Sequence, residues 1–328
     1  MQVVRGAVWM AYAGRYFTKG GFERRQAAAD WKEEDVSEQS ANESRERVAI
    51  VTGANAGLGR AVTKALAGLG HEVHMLCRNE ERGKKARDEL AEETKSESLH
   101  LHIVDVSDAA AVAAFCGSFA EAHERLDVLV NNAGVLLNKR TETDAGLEAT
   151  FATNTLGTFL LTEGLMHLLA SSGTEEDPAR VVVVSSGGLL TEKMDMSDLS
   201  FQKNYNGPAV YSQTKRHQLY MTQKWAERHQ EKPLRFYCMH PGWADTPGVQ
   251  TSLPSFHSMF EGSLRTSEQG ADTIIWLALC MRPELLKDNG TFFLDRAIER
   301  TCLPATFTES KQEEKEELMK KLDSYKSE

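Results

Sequence analysis

The sequence predicts an α/β protein built on a doubly wound, mostly parallel sheet of about seven strands. Short apolar runs alternate with helix-length segments, and runs that are apolar throughout are typical of strands covered by helices on both faces. A glycine-rich turn follows the first run, where such folds bind a nucleotide. The seven runs are VAIVTG, EVHMLC, LHLHIVD, LDVLVNN, RVVVVSS, LRFYCMH and GTFFLD.

Composition divides the chain into four parts. Residues 1–31 form an apolar and aromatic segment predicted to be amphipathic, and residues 32–46 form a charged linker. Residues 47–307 show the alternating pattern of the folded domain, and residues 308–328 form a charged tail. In the tail, a helix would place Leu318, Met319, Leu322 and Tyr325 on one side, which predicts a solvated helix docked weakly on the domain.

Charge and cysteine content narrow the functional classes. The 328 residues include 38 Lys and Arg against 48 Asp and Glu, a net charge of −10 that does not favour a nucleic-acid partner. The five cysteines are dispersed and form no CxxC pair, so neither a disulfide framework nor a zinc site is indicated. Reduced thiols in apolar runs favour an intracellular, cytosol-facing location.

The first turn has the spacing TGxxxGxG, with Gly53, Gly57 and Gly59, and it opens a helix. Glycines let the backbone turn tightly and bring amide N–H groups and the helix dipole against a pyrophosphate. Asn55 and Leu58 lie within the same turn. The alternative is a turn whose glycines serve only helix–sheet packing. We expect a Rossmann-type dinucleotide site here.

The end of the second strand indicates which nucleotide is bound. Cys77 stands where an acidic residue would accept a hydrogen bond from a ribose hydroxyl, and Arg78 follows it. Arginine suits a 2′-phosphate, so NADP(H) is favoured over NAD(H). The alternative is that Arg78 lies in solvent and pairs with Glu80 or Glu81.

Two further strand ends supply candidate cofactor contacts. Asp105 and Val106 follow the third strand, although Ser107 and Asp108 there also resemble a helix start. After the fourth strand, amides and a glycine stand where a nicotinamide ring would pass. Asn131 could instead satisfy backbone groups at the strand end. The candidates after the fourth strand are Asn132, Ala133 and Gly134.

With these pieces in order, the chain resembles the short-chain dehydrogenase/reductase family over about 260 residues. The matching pieces are TGxxxGxG at Gly53–Gly59, NNAG at Asn131–Gly134, Asn154, Ser186, Tyr211xxxLys215 and PGxxxT at Pro241, Gly242 and Thr246. Within the family, the LCRN run, the long Ser–Tyr spacing and RTSEQGADTIIWLAL are similar to the retinol-dehydrogenase-like branch. The resemblance implies that Pro241, Gly242 and Thr246 contact the cofactor.

The tyrosine and lysine indicate proton chemistry. A free tyrosine, with a pKa of ~10, transfers protons poorly at neutral pH, and a nearby ammonium favours its phenolate. Lys215 lies one helical turn after Tyr211 and can also donate to ribose hydroxyls. Tyr211 is the predicted general acid for carbonyl reduction and general base for alcohol oxidation, and Tyr211 and Lys215 are both expected to contact the cofactor.

Two more polar residues complete the predicted catalytic set. Ser186 ends the fifth strand, where a hydroxyl can hold the substrate oxygen; Ser185 competes for this role, and the resemblance favours Ser186. The resemblance gives Asn154 the role of holding a water that links Lys215 to solvent. A local structural hydrogen bond is the alternative for each residue.

A lipophilic carbonyl or alcohol is the predicted small-molecule substrate. The segment after Gly242 combines apolar side chains with prolines and glycines, as loops over active sites often do. The alternative is packing against the domain or a partner subunit in a homo-oligomer. His217, His240 and His257 lack ligand spacing, so no metal is expected there. The apolar residues are Trp243, Leu253, Phe256, Met259 and Phe260.

The amino-terminal segment has three interpretations. A helix over residues 3–19 would gather Arg5, Arg15 and Lys19 in one sector and leave an apolar side, as in interfacial membrane helices. Docking onto the domain and a targeting peptide, including a mitochondrial one, are the alternatives. The uncharged run from Gly6 to Gly14 is too short to span a bilayer.

The residues together predict an enzyme that interconverts a carbonyl and an alcohol with NADP(H). A nucleotide-binding scaffold or redox sensor with weak turnover is the alternative. A sugar epimerase or dehydratase of the wider family would need a larger carboxyl-terminal domain than the roughly 60 residues between Thr246 and Phe307.

Overall fold

A central sheet of eight strands organises the molecule, in the order β3-β2-β1-β4-β5-β6-β7-β8. The computed structural model describes residues 2–29, 31, 46–203, 205–304 and 306–327. Strands β1 to β7 run parallel, and the two-residue β8 pairs antiparallel with β7. The strands are Val48–Thr52, Glu72–Cys77, Leu99–Ile103, Val128–Asn131, Ala179–Val184, Leu234–Met239, Thr291–Leu294 and Ala297–Ile298.

Helices precede the sheet, connect its strands and follow it. Helix α6 has three consecutive parts, of which the middle one is π-helical. Single-turn 3₁₀ segments occupy Gly187–Leu190 and Ser324–Ser327. The helices are α1 Gln2–Tyr16, α2 Lys19–Ala29, α3 Gly57–Gly68, α4 Glu80–Thr94, α5 Ala109–Ala122, α6 Ala149–Phe151, Ala152–Gly157 and Thr158–Gly164, α7 Met166–Ser172, α8 Gly207–Arg228, α9 Pro247–Ser252, α10 Pro254–Phe260, α11 Ser267–Leu279, α12 Pro283–Lys287 and α13 Gln312–Asp323.

Each face of the sheet carries its own core, which explains the continuous apolar runs in the sequence. Alternate residues of one strand enter opposite cores: Val181 and Val183 face α5, α6 and α8, whereas Val182 and Val184 face α3, α4 and α11. Each of the seven predicted runs contains a strand. The predicted doubly wound α/β fold is therefore confirmed, and the short β8 extends it.

The sheet brings the predicted site residues to one edge. Parallel strands end on the same side, so the turns after β1, β2, β4, β5 and β6 lie together at their carboxyl ends. The strand order reverses direction between β1 and β4, because β2 follows β1 on one side and β4 pairs on the other. A crevice at this switch point is where folds of this class bind their ligands.

The amino-terminal segment folds as two helices that dock onto the domain. Phe17 and Phe22 are buried, and the backbone N–H of Trp243 donates to the carbonyl of Phe17 at 2.7 Å. The guanidinium of Arg265 donates to the carbonyls of Tyr16 and Phe17 at 2.8 and 3.0 Å. Of the three interpretations, the contacts match docking.

Helix α1 ends at Tyr16, three residues before the predicted limit. Arg15 and Lys19 are exposed, and the side chain of Arg5 lies outside the described residues. The outer face between Gly6 and Gly14 exposes Gly6, Ala7, Met10, Ala11 and Gly14, so it carries no charge. Among the described residues, no helix is long and apolar enough to cross a membrane.

The carboxyl-terminal helix packs more tightly than the sequence suggested. Leu318, Met319 and Leu322 are fully buried, and Tyr325 packs partly buried against the same core. A polar contact reinforces this packing: Lys315 Nζ donates at 3.1 Å to Oε1 of Gln223, which lies on α8. The prediction of a weakly docked helix is therefore wrong. Helix α13 is part of the core that lies beneath α8, the helix that carries Tyr211.

We predict that Leu318→Ala lowers the free energy of unfolding by about 2–5 kcal/mol, because it opens a cavity in the core. Lys320→Ala is the matched control on the exposed side of α13 and should change it by less than about 0.5 kcal/mol. Chemical denaturation of the full chain measures both. Equal small effects would show that the helix docks weakly.

Candidate active site

The glycine turn after β1 has the close contacts that the motif predicts. Gly53 and Gly57 have φ of +65° and +53°, which favour glycine. At Gly59, an added Cβ would lie 2.4 Å from the carbonyl oxygen of Gly53 and 2.6 Å from Asn132 Nδ2. Helix α3 therefore begins against the turn, with its free amide N–H groups at the carboxyl edge of the sheet.

Residues after β4 hold this turn in place. Asn132 Nδ2 donates to the carbonyl of Thr52 at 2.8 Å. Thr52 Oγ1 accepts from the backbone N–H groups of Asn132 and Ala133 at 2.9 and 2.8 Å. The buried Asn131 donates to Thr162 Oγ1 at 3.0 Å. Asn131 thus has a structural partner, whereas Asn132 ties the two loops together.

The PGxxxT segment also reaches the glycine turn. An added Cβ at Gly57 would lie 3.2 Å from Thr246 Cγ2, so these residues are in contact. Leu58 packs against Gly270 of α11. Gly242 has a φ of +76° and lies against the Arg265 guanidinium, which also donates to the carbonyl of Pro241 at 3.3 Å. Asn55 is half-buried in the turn.

Arg78 extends from the end of β2 toward Asp105. Its side chain is 65% exposed, and Nε lies 3.7 Å from Asp105 Oδ2. Glu80, one of the two alternative partners of Arg78, instead pairs with Lys84 at 2.6 Å. The guanidinium is therefore accessible and loosely held.

The turn after β3 is fixed from both sides. Asp105 Oδ1 accepts from the backbone N–H and the hydroxyl of Ser107 at 2.9 and 2.7 Å. The carbonyl of Val106 lies against Gly157 of α6, where an added Cβ would be 2.0 Å away. Val106 therefore lines the crevice together with Thr52 and Ala133.

Tyr211 and Ser186 face each other. Ser186 follows β5 and caps the 3₁₀ turn, where its Oγ accepts from the backbone N–H of Gly188 at 3.1 Å. Burial raises the pKa of Tyr211, and a hydrogen bond with Ser186 acts in the opposite direction. Ser185 is buried, and its Oγ donates to the carbonyl of Lys215 at 2.7 Å. The two serines thus have different surroundings, and Ser186 is the one beside the tyrosine.

Lys215 lies buried beneath Tyr211. Its Nζ is 5.5 Å from the centre of the Tyr211 ring and donates to the Val184 carbonyl at 2.9 Å and to Gln218 Oε1 at 3.0 Å. Burial lowers the pKa of Lys215 to about 8. The ammonium form therefore predominates at neutral pH and places a positive charge beside the phenol.

Asn154 lies in the π-helical part of α6, fully buried. Its side chain bonds both backbone groups of Val135, at 2.8 and 2.9 Å, and donates to Thr214 Oγ1 at 3.0 Å. The backbone carbonyl of Asn154 accepts from Gln218 Nε2 at 2.8 Å. A polar chain therefore runs from Lys215 through Gln218 to Asn154. Such π-turns are frequent at functional sites.

Sequence reasoning missed three kinds of site residue. Gln218 was overlooked although it lies three residues after Lys215, a spacing that brings side chains together on a helix. Thr52 is the first residue of the TGxxxGxG motif, but only the glycines of that motif were assigned a role. Trp9 lies 178 positions before Gly187, which it contacts, and Phe17 is similarly remote, so no local pattern could place either of them there.

An aromatic cluster lies next to Ser186. Trp9 Nε1 donates to the carbonyl of Gly187 at 2.9 Å, and an added Cβ at Gly187 would lie 2.4 Å from a ring carbon of Phe17. The Trp243 ring is 5.8 Å from Trp9, 4.9 Å from Phe256 and 4.6 Å from Phe260. We call these five residues the aromatic cluster: Trp9, Phe17, Trp243, Phe256 and Phe260.

The three histidines singled out in the sequence have separate surroundings. His240 is buried, with its ring 4.2 Å from that of Phe17, and burial lowers its pKa well below the usual value. His217 is a core residue whose Nδ1 is 3.1 Å from Thr155 Oγ1. His257 Nε2 lies 3.0 Å from Asp245 Oδ1.

Comparison with known proteins gives the class. The family model described as short chain dehydrogenase matches residues 47–255. The chain therefore belongs to the short-chain dehydrogenase/reductase family, whose members are oxidoreductases.

Particular relatives cover most of the chain. Dehydrogenase/reductase SDR family member 12 of Homo sapiens is 41% identical over 324 residues, 98% of each chain. Retinol dehydrogenase 12 of Mus musculus is 34% identical over 251 residues, 76% of this chain and 78% of that one. Among solved structures, the RhlG/NADP active-site complex of Pseudomonas aeruginosa has a TM-score of 0.61 at 21% identity, covering 75% of this chain and 93% of that one, and shares the fold.

The residues at the crevice fit a nicotinamide dinucleotide. The closely packed glycine turn brings the amide groups at the start of α3 to the carboxyl edge of the sheet, where they can meet a diphosphate. Lys215 and Tyr211 stand across the crevice at the end of β5. The amide groups at the start of α3 would hold the diphosphate of such a cofactor, and Lys215 would hold its nicotinamide riboside.

Proposed function

We propose that this protein is an NADP(H)-dependent oxidoreductase that interconverts a lipophilic carbonyl compound and its alcohol, with Tyr211 as the general acid and base. The observation that carries the proposal is the convergence of Tyr211, Ser186 and the buried Lys215 ammonium. An intact set of this kind favours turnover over the alternative of a weakly active nucleotide-binding scaffold.

The three residues divide the proton chemistry. When bound, the cofactor supplies the hydride for reduction or accepts it in oxidation. In reduction, Tyr211 Oη gives its proton to the substrate oxygen, and Ser186 Oγ donates a hydrogen bond to the same oxygen as charge develops on it. The Lys215 ammonium stabilises the phenolate that Tyr211 becomes. In oxidation, the phenolate takes the proton back.

Reprotonation of Tyr211 needs a path to solvent. Lys215 Nζ, Gln218 and the carbonyl of Asn154 form a continuous polar chain leading away from the phenol. The side-chain amide of Asn154 holds the loop of Val135 on the other side. We assign Asn154 and Gln218 the role of positioning Lys215 and its proton path, because neither touches Tyr211.

Preference for NADP(H) rests on Arg78. The 2′-phosphate carries a charge that an exposed guanidinium at the end of β2 can bind by two parallel hydrogen bonds. Asp105, 3.7 Å from Arg78, would orient the guanidinium rather than accept from a ribose. Cys77 leaves the usual acidic position without a carboxylate, and this removes the contact that favours NAD(H).

The preference for lipophilic substrates rests on the aromatic cluster. Its rings lie beside Gly187, the residue after Ser186, so a substrate whose oxygen reaches Ser186 lies next to them. Phe256 and Phe260 are half-buried on the short helix α10 and can turn apolar surface toward a ligand. Membrane-surface association through residues 3–19 and homo-oligomer formation stay predictions.

We expect Tyr211→Phe to lower kcat for carbonyl reduction by about 10²–10⁴-fold, because the proton donor is lost while the ring remains. Tyr205→Phe removes a hydroxyl that bonds Glu148 and should leave kcat within about threefold. NADPH consumption over a carbonyl panel measures both. Equal low rates for wild type and Tyr211→Phe would favour the scaffold.

Arg78→Ala should weaken NADPH binding by about 10–100-fold, because a charge-assisted contact to the 2′-phosphate is lost, and should change NADH binding little. Arg87→Ala removes the same charge from the exposed side of α4 and serves as the control. Fluorescence titration gives both affinities. Tighter binding of NADH than NADPH by the wild type would refute the preference.

Phe256→Ala should lower kcat/KM for a long-chain aldehyde about 10-fold more than for a small polar carbonyl, because lost apolar contact penalises the larger ligand. Phe307→Ala is the control, since Phe307 is 74% exposed and lies outside the aromatic cluster. Wild-type turnover of small polar carbonyls much faster than of lipophilic ones would contradict the proposed substrate class.

A further inference from the structure

A second polar cluster lies at the opposite end of the sheet from Tyr211. Glu72 and His74 occupy alternate positions at the start of β2, so their side chains share one face. On the neighbouring β3, His100 pairs with His74 in register. His123 follows the last residue of α5 and reaches the same place. Three elements distant in sequence therefore converge there.

The spacing of the donor atoms suits a single small cation. His74 Nε2, His100 Nε2 and His123 Nε2 lie 3.1, 3.3 and 3.8 Å from Glu72 Oε1. Ligands bonded to zinc at about 2.0–2.1 Å in a tetrahedron lie about 3.3 Å apart. The donor atoms of Glu72, His74 and His123 all lie within 4.8 Å of one another. Small side-chain adjustments thus reach ligand geometry.

The other ring nitrogens are already hydrogen-bonded in the manner of metal ligands. His123 Nδ1 lies 3.1 Å from the carbonyl of Phe119, which can only accept, so this nitrogen carries the proton. The Nε2 atom of this ring lies toward the Glu72 carboxylate. His74 Nδ1 lies 2.9 Å from His102 Nε2, so one of these two rings donates to the other. Such outer contacts fix the tautomer and orientation of metal-bound histidines.

The imidazole nitrogens and the carboxylate oxygen need a proton or a metal ion between them. A proton can bridge one pair of these atoms, whereas a metal ion satisfies all of them together. The cluster is also held rigidly, since the buried His74 packs edge-on against Phe119 and His123 at 4.9 and 4.6 Å. Glu72 and His123 remain partly exposed, which leaves an entry path from solvent.

We propose that Glu72, His74 and His123 bind a divalent transition-metal ion of the zinc type, with the fourth position open to solvent beside His100. Two imidazoles and one carboxylate suit this class of ion. The ion would tie the start of β2 to the end of α5, remote from the hydride chemistry. The sequence predicted no metal site, an expectation argued from the dispersed cysteines and from His217, His240 and His257 without considering this second group.

The test uses the full-length chain without a histidine tag. Calorimetric titration with Zn²⁺ should give one site, and both Glu72→Gln and His123→Ala should weaken it by at least about 100-fold. His167→Ala removes an exposed histidine from α7 and should leave the affinity unchanged. Co²⁺ in place of Zn²⁺ should give visible absorption bands without thiolate charge transfer, because the proposed ligands include no cysteine.

Thermal unfolding provides a readout that separates lost binding from lost folding. Zn²⁺ should raise the Tm of the wild type and of His167→Ala, and should not raise that of Glu72→Gln or His123→Ala, although both fold without the ion. Wild-type affinity retained in both variants would overturn the proposal, as would a wild type that binds no Zn²⁺ or a cobalt complex with thiolate bands.

Discussion

The burial of the Lys215 ammonium beneath Tyr211 is the constraint around which the site is built. A buried cation is costly unless hydrogen bonds replace its lost hydration. The carbonyl of Val184 at the end of β5 and the amide of Gln218 supply them. Gly134 leaves room for Nζ, since an added Cβ there would lie 3.2 Å away. The end of β5, Gly134 and helix α8 therefore together hold the Lys215 ammonium next to the phenol of Tyr211.

Secondary elements outside the sheet support that unit from two sides. The carboxyl-terminal helix α13 buries Leu318 and its neighbours against α8, which carries both Tyr211 and Lys215. The amino-terminal helices close the other side, where Arg265 joins the backbone of Tyr16 and Phe17 to a buried pair with Asp295. Segments that look peripheral in sequence thus pack around the elements that carry Ser186 and Tyr211.

Sequence reasoning predicted what depends on local patterns. The seven parallel strands follow from apolar runs, and the positive φ of Gly53 and Gly57 matches the TGxxxGxG turn. The sequence could not show what the apolar side of α1 packs against, because its partners include Gly187 and Trp243, which are far from α1 in the chain. The same limit hid the group of Glu72, His74 and His123, which three separate elements bring together. The π-turn at Asn154 likewise depends on tertiary contacts with Val135 and Thr214.

The most direct measurement is the titration of Tyr211 followed by tyrosinate absorption, with Tyr211→Phe subtracted. Burial raises the pKa of Tyr211 in the protein without cofactor. Saturating NADP⁺ brings the positive nicotinamide ring near the phenol, so the phenolate should appear at distinctly lower pH, and Lys215→Met should move the Tyr211 titration with NADP⁺ to higher pH. A tyrosinate titration unchanged by NADP⁺, or identical in Lys215→Met, would contradict the coupling of Lys215 to Tyr211.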